Sequence, residues 1–279
     1  MQLWCIRALA LAAFALSLMF AGCGGGKDIG SSASVMILTA ASAAESEGWG
    51  TIKGQVVWAG DKVPERAQLK VDKDQNACLK NGPLLDDKLV VNPKNKGVRW
   101  AAVYLMSADG FKKAIPIHPS LQDIKKKVVE VDQPCCLFEP HILALREGQT
   151  LVVKNSAAIP HNVKVDPEPS LNQILPPGTQ LKLEDLKARR QTPLSIACNI
   201  HGWMTGKVFV LPNPYFAVTD ADGNFEIRDA PAGDFRLVVW HEEIGWVAGD
   251  GKPSKNGKKI TIKAGDTTDL GKIPMKPTE

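Results

Sequence analysis

The chain has 279 residues, of which 44% are hydrophobic and 23% charged, and its formal net charge is only +4. Lysine runs at residues 112–113 and 125–127 have no aromatic residues between them, so they are typical of solvated faces and give nucleic-acid binding little support. Helical periodicity is scarce, since the best candidate, residues 183–190, could form only about two turns. We therefore predict an all-β fold.

The N-terminus is typical of an export signal. The apolar run after Arg7 is too short for a normal membrane span, and Phe20-Ala21-Gly22-Cys23 resembles the lipobox at which bacterial lipoproteins are processed. We predict a lipoprotein signal peptide at residues 1–22, a lipid on Cys23 and a flexible tether over residues 23–47. The protein would then be anchored on the periplasmic side of the bacterial cell envelope. Ordinary cleavage after Ala41-Ser42-Ala43 would instead give a soluble exported protein.

A β-rich region is predicted next. Residues 51–58 alternate in the manner of a strand, a turn follows at Ala59-Gly60-Asp61, and residues 97–105 offer another strand. We place an N-terminal β-region at residues 48–108.

The following segment, residues 109–212, carries a cysteine at the end of a predicted strand. Leu194, Ile196 and Cys198 alternate with Ser195, Ala197 and Asn199, so they share the inward face of that strand. His201 and Met204 then lie in the short loop that leaves it. One tight loop can therefore hold three ligands of a metal ion.

A fourth ligand is predicted in a different loop. Residues 149–155 and 163–165 have strand patterns, which leaves His161 in the turn between them. Thiolate and thioether sulfur beside imidazole selects copper over hard cations, and a His2Cys plane with a distant axial Met is typical of electron-transfer copper. Two loops on a stiff sheet would reorganise little when copper changes its oxidation state.

These residues resemble the cupredoxin family, in particular its amicyanin and plastocyanin type. The similarity rests on Glu147-Gly148-Gln149-Thr150-Leu151, on Asn155 followed by Pro160-His161-Asn162-Val163, and on Cys198-x2-His201-x2-Met204. It covers residues 140–212, and Ile200 stands where the family commonly has proline. The resemblance implies a Greek-key cupredoxin β-sandwich, here with smaller β-sandwich regions on either side.

The same resemblance implies roles for the site residues. His161, Cys198 and His201 would be the strong equatorial ligands of one type 1 copper ion, with Met204 as the axial ligand. Asn155 would tie the two ligand loops together by hydrogen bonds near the cysteine sulfur. The residues that flank His201, namely Ile200, Gly202, Trp203 and Pro160, further predict that its ring sits in an apolar collar and is the exit through which the electron reaches a partner.

The last region, residues 213–279, has four predicted strands, at residues 215–219, 224–228, 234–240 and 259–263. Residues 217–242 resemble transthyretin-like or carboxypeptidase regulatory-like modules, small β-sandwiches that imply a structural or interaction role. Motifs for a calcium loop, a zinc protease helix and a trinuclear copper cluster are incomplete, so we expect no enzyme.

Three further cysteines remain in the exported chain. Cys78 paired with Cys136, or with Cys135, is the expected disulfide in an oxidising compartment. A second metal site that uses Cys136 and His141 is the alternative.

The sequence thus predicts an exported blue copper protein that transfers single electrons between redox partners that it does not identify. The alternative is a copper-binding or cell-envelope interaction protein whose metal is sensory or structural.

Overall fold

A computed structural model describes residues 48–189, 191–247 and 254–276. The signal peptide predicted at residues 1–22, the tether at 23–47 and the lipid site at Cys23 lie outside the described residues. Among the helices that the structure describes, none is long and apolar enough to cross a membrane.

The described residues form eighteen β-strands and two short helical segments, so the predicted all-β fold is confirmed. The strands are β1 (Trp49–Trp58), β2 (Val90–Val91), β3 (Val98–Arg99), β4 (Ala102–Ser107), β5 (Val128–Val131), β6 (Ile142–Arg146), β7 (Thr150–Lys154), β8 (His161–Asp166), β9 (Leu171–Leu175), β10 (Gln180–Leu183), β11 (Leu194–Ala197), β12 (Thr205–Leu211), β13 (Phe216–Val218), β14 (Asn224–Pro231), β15 (Gly233–His241), β16 (Gly245–Val247), β17 (Lys258–Ile262) and β18 (Thr267–Met275). The helical segments are α1 (Gln75–Cys78) and a 3-10 helix (Pro119–Lys126).

The middle of the chain forms a sandwich of two sheets, which we call the central sandwich. One sheet has the strand order β10-β7-β5 and the other has the order β6-β12-β11-β8-β9. Alternate apolar residues of both sheets, such as Leu151 on β7 and Val163 on β8, meet in one buried cluster. Because side chains alternate across a strand, each strand contributes one face to that core.

The two regions on either side of this segment build a second sandwich together, the flanking sandwich. Strand β1 pairs with β14 and, in parallel, with β18, whereas β4 pairs with β13 and β15. Ile52 on β1, Phe225 on β14 and Ile273 on β18 belong to one buried cluster. Residues 48–108 and 213–276 therefore share sheets and a core, and the boundaries drawn from the sequence do not separate two domains there. A strand's partner along a sheet is set by tertiary packing, which short-range patterns do not reveal.

A third buried cluster joins the two sandwiches. Tyr104 on β4 and Trp240 on β15 pack with Phe209 and Leu211 on β12 and with Ile142 on β6. All six residues of β4 are consequently buried. A strand that is covered on both faces has a nearly continuous apolar sequence rather than an alternating one.

Residues 183–189 of the best helix candidate, the part that the structure describes, are not helical. Strand β10 ends at Leu183, and residues 184–189 are irregular. Leu183 and Leu186 are both buried in the core of the central sandwich, and Asp185 between them has a φ of 56°. A left-handed residue at that position ends any right-handed helix. With this backbone, both leucines reach the core.

The shared flanking sandwich can be tested with Ile52→Ala. Ile52 is fully buried between the sheets, so we expect a loss of about 2–5 kcal/mol in the free energy of unfolding. Amide exchange should accelerate in β14 and β18 as well as in β1, because the three strands form one sheet. Lys53→Ala is the matched control, since that side chain is about half exposed and its ion pair with Asp269 lies at the surface. Faster exchange confined to β1 would show that the flanking regions are independent.

Candidate metal centre

Cys198 directly follows strand β11. Leu194 and Ile196 are buried, whereas Ser195 and Ala197 are only half-buried, so the alternation predicted for this strand is confirmed. It directs Cys198, which is 2% exposed, into the core of the central sandwich.

His161 is the first residue of β8, the antiparallel neighbour of β11. In their register Ala197 faces Lys164, which places Cys198 and His161 at the same end of the sheet. The backbone N–H of Asn162 donates to the Cys198 sulfur at 3.2 Å. The two predicted ligands are thus held by neighbouring strands rather than by flexible segments.

The loop between β11 and β12 brings His201 back over Cys198. The Cys198 N–H donates to the Met204 carbonyl at 3.1 Å, and the Met204 N–H donates to the His201 carbonyl at 2.9 Å. These bonds close the loop in a compact turn. Met204 at its end is fully buried in the same apolar core as Cys198.

Three ligand atoms converge in this buried site. The Nδ1 atoms of His161 and His201 are 3.0 Å apart, and the Cys198 sulfur is 3.8 Å from the His201 Nδ1. The ligand atoms of the three residues all lie within 4.8 Å of one another. With metal–nitrogen and metal–sulfur bonds of about 2.0 and 2.3 Å, one ion can bridge separations of roughly 4 Å. The donor set and its spacing therefore fit a metal ion that prefers nitrogen and sulfur.

The electrostatic setting keeps His161 neutral. Burial is the main cause that lowers the pKa of His161 from 6.5 to about 4. The neighbouring His201 adds to this shift, and the Asp74 charge opposes it. Its Nε2 is buried without a hydrogen-bond partner among the described residues. A neutral imidazole keeps a lone pair for a metal at neutral pH.

The structure places a carboxylate at the edge of the His201 ring, for which the sequence predicted an apolar collar. His201 is 0% exposed, and its Nε2 lies 2.8 Å from the Oδ2 of Asp74. The centroid of its ring lies 4.9 Å from the centroid of the His161 ring and 5.1 Å from that of the Trp203 ring. A segment of the N-terminal β-region lies over the ligand loop and presents the Asp74 carboxylate there, beside the apolar ring of Trp203.

Asn155 does not make the expected bonds between the ligand loops. Its side-chain amide donates to the carbonyls of Ile159 and Leu175 at 3.0 and 2.8 Å, and its oxygen accepts from the Ala157 N–H. These bonds brace the loop that leads into His161, and no bond to the Cys198 loop occurs among the described residues.

Asn162 makes the inter-loop bonds instead. Its side-chain oxygen accepts from the Asn199 N–H at 3.0 Å, and its own N–H points at the cysteine sulfur. Sequence reasoning missed this role, although an asparagine directly after a ligand histidine was a usable signal.

The remaining cysteines form one disulfide. The structure joins Cys78 to Cys136, with their Cα atoms 5.4 Å apart, and leaves Cys135 free. Cys136 therefore has no thiolate to offer to a second metal site. His141 is paired elsewhere, since its Nε2 lies 2.7 Å from a carboxylate oxygen of Glu242.

No protein-family model matches the chain, and no curated protein sequence matches it. Solved structures that resemble it include cupredoxins. A purple cupredoxin from Nitrosopumilus maritimus is 18% identical over 29% of this chain and 98% of its own, with a TM-score of 0.26. An oxidised point mutant of amicyanin is 24% identical over 35% of this chain and 96% of its own, with a TM-score of 0.27.

A copper-containing nitrite reductase from Thermus scotoductus is also similar in part. It is 21% identical over 30% of this chain and 22% of its own, with a TM-score of 0.26. Scores this low assign no function by themselves.

His161 and His241 are both buried and neutral, and they predict a pH-dependent stability of the metal-free protein. Burial lowers the pKa of His241 to about 4 as well, so both folded-state values lie below the unfolded value of about 6.5. The unfolded chain then binds more protons in between, and stability is complete above pH 6.5 and is lost as the pH falls toward 4. Each histidine contributes a slope of at most about 1.4 kcal/mol per pH unit.

Denaturant unfolding of the metal-free protein between pH 7 and 4 measures this slope. We expect His161→Gln to remove the contribution of His161 from this slope, while the contributions of His241 and of carboxyl groups such as Glu242, whose pKa is lowered by its partners, remain. An unchanged slope in that variant would contradict the buried, neutral state of His161.

Proposed function

We propose that this protein is a type 1 copper protein that carries single electrons between redox partners and is not an enzyme. The observation that carries the proposal is the convergence of the His161, Cys198 and His201 ligand atoms in a buried site. Copper, when bound, would supply a one-electron couple between Cu(I) and Cu(II). His161, Cys198 and His201 would hold the copper, and the thioether of Met204 would be a further, weaker ligand.

The chain's own residues support such a role in three ways. Strands β8 and β11 hold His161 and Cys198 in one register, so the ligand positions are fixed before any ion binds. The apolar residues around Cys198 and Met204 keep water out of the site. The Asn162 N–H donates to the cysteine sulfur and stabilises negative charge on it.

Removal of the thiolate tests this proposal. A thiolate bound to Cu(II) gives an intense visible charge-transfer band, so the purified, oxidised, copper-loaded protein should be coloured and Cys198→Ala colourless. Met204→Leu is the matched control: it should keep copper and the band, yet raise the reduction potential because loss of a weak axial donor destabilises Cu(II). A wild-type protein that binds copper but stays colourless would contradict electron transfer and favour a sensory or structural metal.

We also propose that the protein is exported and anchored by a lipid on Cys23. The lipobox-like Phe20-Ala21-Gly22-Cys23 supports this, and so does the Cys78–Cys136 disulfide, since such bonds persist in oxidising compartments. Residues 217–242 would have the structural or interaction role implied by their resemblance to transthyretin-like or carboxypeptidase regulatory-like modules.

The anchor is tested by expressing the full chain and Cys23→Ala in a Gram-negative host. The unchanged chain should partition into detergent with the membranes, whereas Cys23→Ala should be processed differently and lose that partition. Mass spectrometry of the mature N-terminus checks the result, and an unmodified start near Ala44 would disprove lipidation.

A further inference from the structure

Asp74 contacts the outer edge of the His201 ring. Its Oδ2 lies 2.8 Å from the His201 Nε2, while the ring's other nitrogen faces His161 and Cys198. The histidine is fully buried, whereas the aspartate side chain is 49% exposed. The carboxylate therefore closes the site at the edge of His201 that faces away from the ligand cluster.

The local backbone directs this carboxylate to the histidine. Asp74 is the N-cap of α1, and its carbonyl accepts from the N–H groups of Ala77 and Cys78. An aspartate at this position normally uses its side chain to cap the helix, but here no such bond forms. Asp74 also has a left-handed φ of 48°, a conformation that costs energy for any residue other than glycine. The segment thus gives up a local bond and adopts a strained backbone where it meets His201.

Both ends of this segment are fixed to the central sandwich. Val71 and Cys78 are buried in its core, and Cys78 is joined to Cys136 by the disulfide. The carbonyl of Cys136 accepts a hydrogen bond at 3.1 Å from the indole of Trp203, whose ring packs against His201. Asp74 is consequently held over the ring by covalent and packing contacts on both sides.

We propose that Asp74 is a positioning residue that orients His201 and tunes the metal that His201 binds. By accepting a hydrogen bond from the Nε2–H, it selects the tautomer whose Nδ1 lone pair faces Cys198 and His161. Its negative charge makes the imidazole a stronger donor and favours Cu(II) over Cu(I), which lowers the reduction potential. The tuning role rests on the proposed copper function, whereas the tautomer does not.

The tautomer is tested on the metal-free protein, so the result does not depend on copper. Nitrogen-15 NMR of His201 at pH 8 should show the Nε2–H tautomer in the wild type and a substantial Nδ1–H population in Asp74→Ala. The Asn76→Ala variant, on an exposed neighbour, controls for disturbance of the segment. An unchanged tautomer in Asp74→Ala would overturn the positioning role.

The tuning role is tested with the isosteric Asp74→Asn, which keeps a possible acceptor but removes the charge. Its Cu(II) affinity, measured by chelator competition, should fall about 10–100-fold, and its Cu(I) affinity should fall less. Each tenfold fall in the Cu(II) affinity relative to the Cu(I) affinity raises the reduction potential by about 59 mV. Asp72→Asn is the matched control. Asp72 is exposed and lies two residues before Asp74, so the substitution removes the same charge without touching His201.

Equal potentials in Asp74→Asn and Asp72→Asn would overturn the tuning role, since general charge would then explain the shift. Failure of the wild type to bind copper would refute the proposed function, and the NMR result would still decide whether Asp74 orients His201. The two failures are therefore distinguishable.

Discussion

The site depends on the antiparallel pairing of β8 with β11. Ser195 faces Asp166 and Ala197 faces Lys164 in that pairing, and this register alone brings His161 to the end of β11 where Cys198 begins its loop. A shift by one residue would turn every side chain of the strand to the other face. Leu194 and Ile196 prevent such a shift, because their burial fixes which face of β11 is inside. Hydrophobic packing at one end of the strand thus determines ligand geometry at the other.

Burial of the ligands has a cost that the surroundings offset. Two imidazoles and a thiol in an apolar core lose hydration, and a buried polar group without a partner is destabilising. The Asn162 N–H, the Asp74 carboxylate and the contact between the two Nδ1 atoms satisfy most of these groups. The pKa of His161 falls to about 4 for the same reason, since a buried imidazole avoids the charge that it cannot hydrate. The burial that makes the site costly for folding also keeps the His161 imidazole neutral, which is the form that a metal ion binds.

Much of the ligand site could be predicted from the sequence because its signals are local. The alternation at residues 194–198 and the tight spacing to His201 and Met204 lie within eleven residues. The contact of Asp74 with His201 spans 127 residues, and nothing in the local pattern of either segment announces it. Asn155 and Asn162 illustrate a finer limit: both are near His161, and only the three-dimensional path of the loop decides which one reaches the Cys198 loop.

The flanking sandwich was harder to predict for a similar reason. Strand β18 contains Gly271 and Pro274 and alternates poorly, yet it pairs in parallel with β1 over most of its length. Parallel pairing joins strands that are far apart in the chain, so no turn signal marks it. The strands of residues 48–108 and 213–276 therefore appeared as two regions although they build one core.

This arrangement places the central sandwich as an insertion between two neighbouring strands. The chain leaves the flanking sandwich after β4 and returns at β13, and Tyr104 on β4 pairs with Phe216 on β13, so the two ends of the insertion lie close together. Domains tolerate insertion at such sites, because closely spaced ends disturb the host little. Here the cluster around Tyr104, Phe209 and Trp240 also packs the insertion against its host. The segment after β1, in which Val71 and Cys78 are buried in the core of the central sandwich, crosses from the host and keeps Asp74 over His201. The geometry of the site therefore depends on a host domain that contributes no metal ligand.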